Sequence, residues 1–176
     1  MTKATLFVLA GALALAGCST KPPPDSSTYV NPSNGLRTDI LSENMLETAD
    51  KTPEVLWLNG ARVFAYNGVI RHVVELDYLS TEEHGFLEIP PGQTLTLTID
   101  NEPVKLSGIG SADSRKKTND STVTERAIYT VNASLFFRLA HAKKVHVEVR
   151  GNKGTVDRWF TAVNFGRINE FVKKFD

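Results

Sequence analysis

The chain has 176 residues, 20 basic and 20 acidic side chains, a formal charge of zero, 41% hydrophobic residues and one cysteine. That balance excludes nucleic acid as a partner, because phosphate backbones are held by a basic excess or a concentrated basic face. One cysteine also excludes an internal disulfide, so an exported domain of this sequence has to be held by its core.

Lys3 precedes an uncharged apolar run from Ala4 to Ala16, with Leu6, Phe7, Val8, Leu9, Leu13 and Leu15 as its bulk. With the small residues Ala16 and Gly17 before a cut, residues 1–17 read as a secretory signal peptide, too soon interrupted to be a stable membrane span. The run ends in Leu15-Ala16-Gly17-Cys18, which resembles the lipobox of bacterial lipoproteins. The resemblance implies cleavage between Gly17 and Cys18, a diacylglyceryl group on the Cys18 thiol and acylation of the new amino terminus. In that class an Asp after the cysteine retains the protein in the inner membrane. Ser19 stands there instead, so the resemblance points to the outer membrane, with the domain in the periplasm. One acyl chain anchors only marginally at ~0.8 kcal/mol per buried methylene, whereas two or three hold.

Residues 18–52 open with Lys21-Pro22-Pro23-Pro24-Asp25-Ser26-Ser27-Thr28, which has almost nothing to bury. This stretch reads as a lipid-anchored flexible tether, able to reach on the order of 120 Å when fully extended. Within it, Thr38-Asp39 followed by Ile40, Leu41, Met45 and Leu46 can cap and build a short amphipathic helix, the alternative being that the whole stretch is disordered.

From Val55 the pattern changes to apolar alternation with turn punctuation, the signature of antiparallel strands. Val55 to Leu58 and Ala61 to Tyr66 flank Asn59-Gly60, which suits a hairpin turn. Val69 to Leu79 follows, with Ile70, His72, Val74, Leu76 and Tyr78 inward and Arg71, Glu75 and Asp77 outward. Phe86 to Ile89 reads as a brief strand stopped by Pro90-Pro91-Gly92. Thr94 to Asp100 alternates cleanly, with Leu95, Leu97 and Ile99 inward and the three threonines outward. Asp100-Asn101-Glu102-Pro103 then turns the chain back through Val104 and Leu106.

Gly108 to Thr122 is polar and reads as a long exposed loop, either functional or mobile. A strand from Val123 to Val131 leads to a helix capped by Asn132 or Ser134 and ending near Lys143-Lys144, whose charges suit its negative end. Val145, Val147 and Val149 alternate with polar neighbours, Gly151 to Gly154 turns, and Val156 and Phe160 mark the returning strand. Phe165, Ile168, Phe171, Val172 and Phe175 then fall at helical intervals. The expected fold is α+β: one domain over 53–176, an antiparallel sheet of about seven to nine strands with two helices, about 132–143 and 162–175, on one face.

Chemical motifs are weak. His72, His84, His141 and His146 do not occur at a spacing that fixes two metal ligands on one element; His72 reads as a core histidine and His84, beside Glu82-Glu83, as a solvated turn. Gly108-Ile109-Gly110 lacks the third glycine of a phosphate loop, Asp113 taking its place. Ser111 and Ser114 lack a nucleophile elbow and read as surface serines. Glu75 with Asp77, or Glu82 with Glu83, could serve glycan cleavage only if burial split their pKa values, and the first pair reads as solvated. Arg115-Lys116-Lys117 is offset by Asp113 and Asp120. Trp57 and Trp159, with Tyr66, Tyr78 and Tyr129, offer aromatic surfaces for a protein or glycan, although on strands such residues are commonly core.

These observations assign no catalytic residue, metal ligand or cofactor. They favour a membrane-anchored, non-catalytic binding or assembly module with an envelope protein as partner. An envelope enzyme acting on peptidoglycan or another glycan, and a structural lipoprotein of an envelope complex, are the alternatives.

Overall fold

A computed structural model describes residues 26–47, 52–118 and 121–175; the leader, Cys18 and the lipobox lie outside the described residues. Among the described residues ten strands form one antiparallel sheet: β1 (Ser26–Val30), β2 (Arg37–Leu41), β3 (Val55–Phe64), β4 (Ile70–Thr81), β5 (Gly92–Ile99), β6 (Glu102–Gly108), β7 (Lys116–Lys117), β8 (Thr122–Val131), β9 (Val145–Gly151) and β10 (Gly154–Trp159). The helices are α1 (Ala133–His141) and α2 (Ala162–Phe175). Spatial order is β1-β2-β3-β4-β8-β6-β5-β9-β10, with the short β7 also on β8. The α+β class therefore holds, with a strand count slightly above the expected range. Among the described residues no helix is long and apolar enough to cross a membrane.

Alternation builds the core. Val74, Leu76 and Tyr78 of β4, Leu95, Leu97 and Ile99 of β5, and Val145, Val147 and Val149 of β9 are each no more than 3% exposed. Burying a side chain of this size contributes roughly 1.5–3 kcal/mol. Both helices add their apolar faces to the same core, and Phe136 of α1 meets Phe171 of α2 with ring centroids 5.7 Å apart. Asn132 caps α1 by accepting from the Leu135 amide at 3.1 Å.

The expected hairpin at Asn59-Gly60 is absent, because β3 runs straight through both residues and pairs with β4 along its whole length. Gly60 is needed for packing rather than turning: a Cβ there would lie 2.6 Å from Cε1 of Phe136. Thr94, expected outward, is buried and hydrogen-bonds Tyr129 at 3.0 Å, because the register slips by a residue between Gln93 and Leu95. Asp100 and Asn101 do form the expected tight turn, both at positive φ.

The first described part of the stretch read as a tether is folded. β1 and β2 pair from Ser26↔Leu41 to Val30↔Arg37, and β2 continues the sheet onto β3. Thr38 to Leu41 is accordingly strand and not the start of a helix. Asp39, fully buried, accepts from Thr28 Oγ1 at 2.8 Å and from Arg37 Nε at 2.9 Å, giving this polar segment a reason to order. Residues 18–25 and 48–51 of that stretch lie outside the described residues.

Beyond β2 the chain bulges at Glu43, whose φ is 55°, and rejoins β3 through Met45↔Trp57. Leu46 then donates to the Leu56 carbonyl, and Glu47 to the carbonyl of Trp159 at the end of β10. This segment links strands far apart in the sheet order, so the sheet curls around its core.

Phe86 to Ile89 is irregular, not strand. The Glu88 and Ile89 amides donate to the buried Glu125 carboxylate at 3.0 and 2.6 Å, leaving them unavailable to a ladder. The polar segment after β6 holds a 3-10 turn at Ala112–Ser114 and the strand β7, so its described part is structured.

Candidate functional site

The face of β3, β4 and β8 opposite the core carries the most concentrated polar chemistry among the described residues. Register creates it. Trp57 lies opposite Asp77 and Asp77 opposite Arg126; in the next row Asn59 faces Glu75 and Glu75 faces Ile128. These side chains come from two consecutive strands and a third, β8, about 40 residues further on, and the period of two that sends Leu58, Leu76 and Ala127 into the core sends them out together.

They floor a cleft of about 500 Å³, walled by Ser42 and Glu43 at the β2 bulge and by Ser114 and Lys116 on the other side. That size falls in the range of small-ligand sites. Arg126 Nε contacts Asp77 Oδ1 at 2.6 Å and Glu75 Oε1 at 3.4 Å, and Asn59 Nδ2 donates to Asp77 Oδ2 at 2.9 Å. Glu75 and Asp77 are only 27% and 22% exposed at their side chains, so the pair read as solvated is half-enclosed.

Removal from water raises the Glu75 pKa above its ordinary value, the neighbouring Asp77 charge adds to the rise, and the Arg126 charge opposes it. The same partners, led by the Asp77 hydrogen bond, raise the pKa of Arg126, whose guanidinium stays charged.

The cleft is tied to the helical side of the molecule through amides. The Asn44 backbone N–H donates to Asn59 Oδ1 at 3.1 Å, and Asn44 Nδ2 to the Leu58 carbonyl at 2.8 Å. Asn164 of α2 donates to Asn44 Oδ1 at 2.9 Å and to the Met45 carbonyl at 2.8 Å. Asn44 and Asn164 are fully buried, and each carries bonds that satisfy its amide. No local sequence signal links Asn44 or Asn164 to Asp77, which they reach only through Asn59.

A second concavity of about 720 Å³ adjoins the first, sharing Trp57 and Glu43 with it and continuing over Met45, Thr161, Val163 and Arg167. Trp57 is half-buried between the two.

Other residues singled out from sequence are dispersed. Half-buried His72 lies 5.8 Å, ring to ring, from Phe136 on the inner side; His84 sits in an exposed turn; His141 Nδ1 contacts the Phe137 carbonyl at 2.8 Å. His146 pairs with Asp157 at 2.8 Å and stacks on Trp159, over which Lys144 is placed, remote in strand order from the cleft. Among the described residues no group of three or more His, Cys, Asp or Glu side chains is arranged to hold a metal ion. Gly108-Ile109-Gly110 leads only into a one-turn 3-10 segment.

Ser111, read as a surface serine, is 1% exposed and donates to the Ile89 carbonyl and to Glu125; Ser114 bonds the Ser111 and Arg126 carbonyls. Glu82 is paired with Lys117 at 2.6 Å. Tyr78 and Tyr129 are core, whereas Tyr66 is 76% exposed. Comparison with known protein families, with curated proteins and with solved structures finds no match for this chain.

Proposed function

We propose that this chain is a lipoprotein of the cell envelope, anchored in the outer membrane by acyl chains on Cys18, whose domain is a non-catalytic binding or assembly module in the periplasm. The cleft at Trp57 is its binding site. The leader and Leu15-Ala16-Gly17-Cys18 support the anchoring. One observation carries the binding reading: the polar groups of the cleft are already bonded to one another, Asp77 to Arg126 and Asn59, and Asn59 to Asn44. A site so pre-arranged presents fixed donors and acceptors at little ordering cost.

Glycan cleavage is the competing reading, and the raised pKa of Glu75 is the observation in its favour. The geometry weighs against it. Two carboxyl groups that cleave a glycoside stand roughly 5–9.5 Å apart on either side of the bond. Glu75 and Asp77 both contact Nε of Arg126 from neighbouring positions on one face of β4, so they stand on the same side of a bound sugar rather than astride its bond.

Labelled palmitate supplied to a bacterial host tests the anchoring. The chain should take up label and fractionate with membranes, and Cys18→Ala should do neither. An unlabelled wild-type chain, or a mature amino terminus other than Cys18, overturns the proposal.

A further inference from the structure

Trp57 is shared by two adjoining concavities of different character. On one side stand flat polar groups, the Asp77 carboxylate and the Arg126 guanidinium, with the buried Asn59 amide bonded beneath them; on the other, Met45 and Val163 are 45% and 60% exposed. A ligand filling both has to pass an indole, so an extended molecule fits better than a compact one.

The charges restrict its chemistry. The ionic groups lining the two concavities nearly cancel, Glu43, Glu47, Glu75 and Asp77 against Lys116, Arg126 and Arg167, and Asp77 is neutralised at contact distance by Arg126. Glu125 adds little field, because its carboxylate is spent on the Glu88 and Ile89 amides. With charges so nearly balanced, neither a phosphate-rich strand nor a polycation meets a concentrated counter-charge. An uncharged ligand with hydrogen-bonding edges needs none.

Pyranose rings have that character: a C–H face that packs on an aromatic ring, and an equatorial rim of hydroxyls that both donate and accept. Planar carboxylate and guanidinium groups offer paired donors and acceptors to such a rim. From this combination we infer that the trough on either side of Trp57 binds an uncharged oligosaccharide, one ring stacked on the indole and its hydroxyls held by Asp77 and Arg126, with Asn59 bracing Asp77 from beneath. The inference deepens the proposed binding role and rests on the cleft, not on the anchor.

The mature full chain, purified in detergent from membranes of a bacterial host, is titrated with chitotetraose, cellotetraose and maltotetraose, reading tryptophan fluorescence and calorimetry. At least one should bind saturably, with an affinity unchanged between low and about 0.5 M salt, as expected for an uncharged ligand. Trp57→Ala should weaken it by about tenfold or more and Trp57→Phe less, while Trp159→Phe should retain it. Arg126→Lys, which keeps the charge and loses the planar fork, should also weaken it.

Binding by none of the three sugars, binding undiminished in a folded Trp57→Ala chain, or preferential salt-sensitive binding of heparin or polylysine overturns the inference. Mass spectrometry of the same preparation reports the acyl groups on Cys18, so failure of the anchor and failure of the sugar site are read separately.

Discussion

Glu125 shows how one buried carboxylate can organise two loops. It occupies an inward position of β8, 1% exposed, and accepts from the amides of Glu88 and Ile89 and from the Ser111 hydroxyl, with Arg115 Nε 3.5 Å away. Alternation along β8 forces the side chain inward, and the irregular segment before β5 supplies the donors that make it tolerable. Glu125→Ala would leave the Glu88 and Ile89 amides without their partner, while Ser111 keeps the Ile89 carbonyl. The expected loss is roughly 3 kcal/mol or more in urea unfolding, well above that for the exposed Glu102.

Glu75 behaves in the opposite sense, because its surroundings disfavour its charge. A carboxyl whose pKa is raised on folding contributes stability that is complete below its ordinary value of 4.5 and is lost as pH climbs through the raised value. Glu75→Gln, which imitates the protonated form, should therefore melt above the wild type at pH 7. The difference should shrink toward pH 4. A constant or inverted difference across that range would show that attraction to Arg126 outweighs desolvation and the Asp77 charge.

Among the elements, α2 is fixed by more than its apolar face. Asn164 Oδ1 accepts from the backbone N–H of Thr161 at 2.7 Å and from its hydroxyl at 2.8 Å, the reach-back half of a capping box, while its Nδ2 grips Asn44 and Met45. Asn164→Ala removes the cap and the link to the bulge together. A loss of about 2–3 kcal/mol is expected, with earlier proteolytic cleavage within α2 than in the wild type. The apolar spacing of α2 was legible in the sequence, as were α1 and the β5 alternation, since each is a local period. Asn59-Gly60 was misread for a physical reason. The dipeptide suits a turn in isolation, yet here the amide serves the cleft and the bare Cα admits Phe136, and neither partner is near in sequence.

At the scale of the whole molecule the sheet has a thin place. β8 meets β6 through the single pair Gly108↔Tyr129, so β1-β2-β3-β4-β8 and β6-β5-β9-β10 are joined by little ladder. A Cβ on Gly108 would lie 2.8 Å from the Ile128 carbonyl oxygen. Gly108→Val should therefore part the halves at a cost of roughly 1–3 kcal/mol and accelerate amide exchange at the Gly108↔Tyr129 seam. The fold class was readable because strand patterns are local. The cleft was not, because a row such as Trp57-Asp77-Arg126 exists only once three strands have found their register.

The start of β1 at Ser26 has one more consequence, for an acylated Cys18. Only residues 19–25 would then separate the lipid from the sheet, a span of at most about 28 Å, where the unstructured reading of 18–52 allowed several times that. Lys174 Nζ donates to the Ser26 carbonyl at 3.0 Å, so the last turn of α2 sits at the mooring point. With Cys18 acylated, the body would ride close against the bilayer, and any ligand would have to come to the membrane. Inserting about 20 Gly/Ser residues between Thr20 and Lys21 should leave the melting temperature unchanged and sharply reduce photo-crosslinking of Lys173 and Lys174 to lipid headgroups.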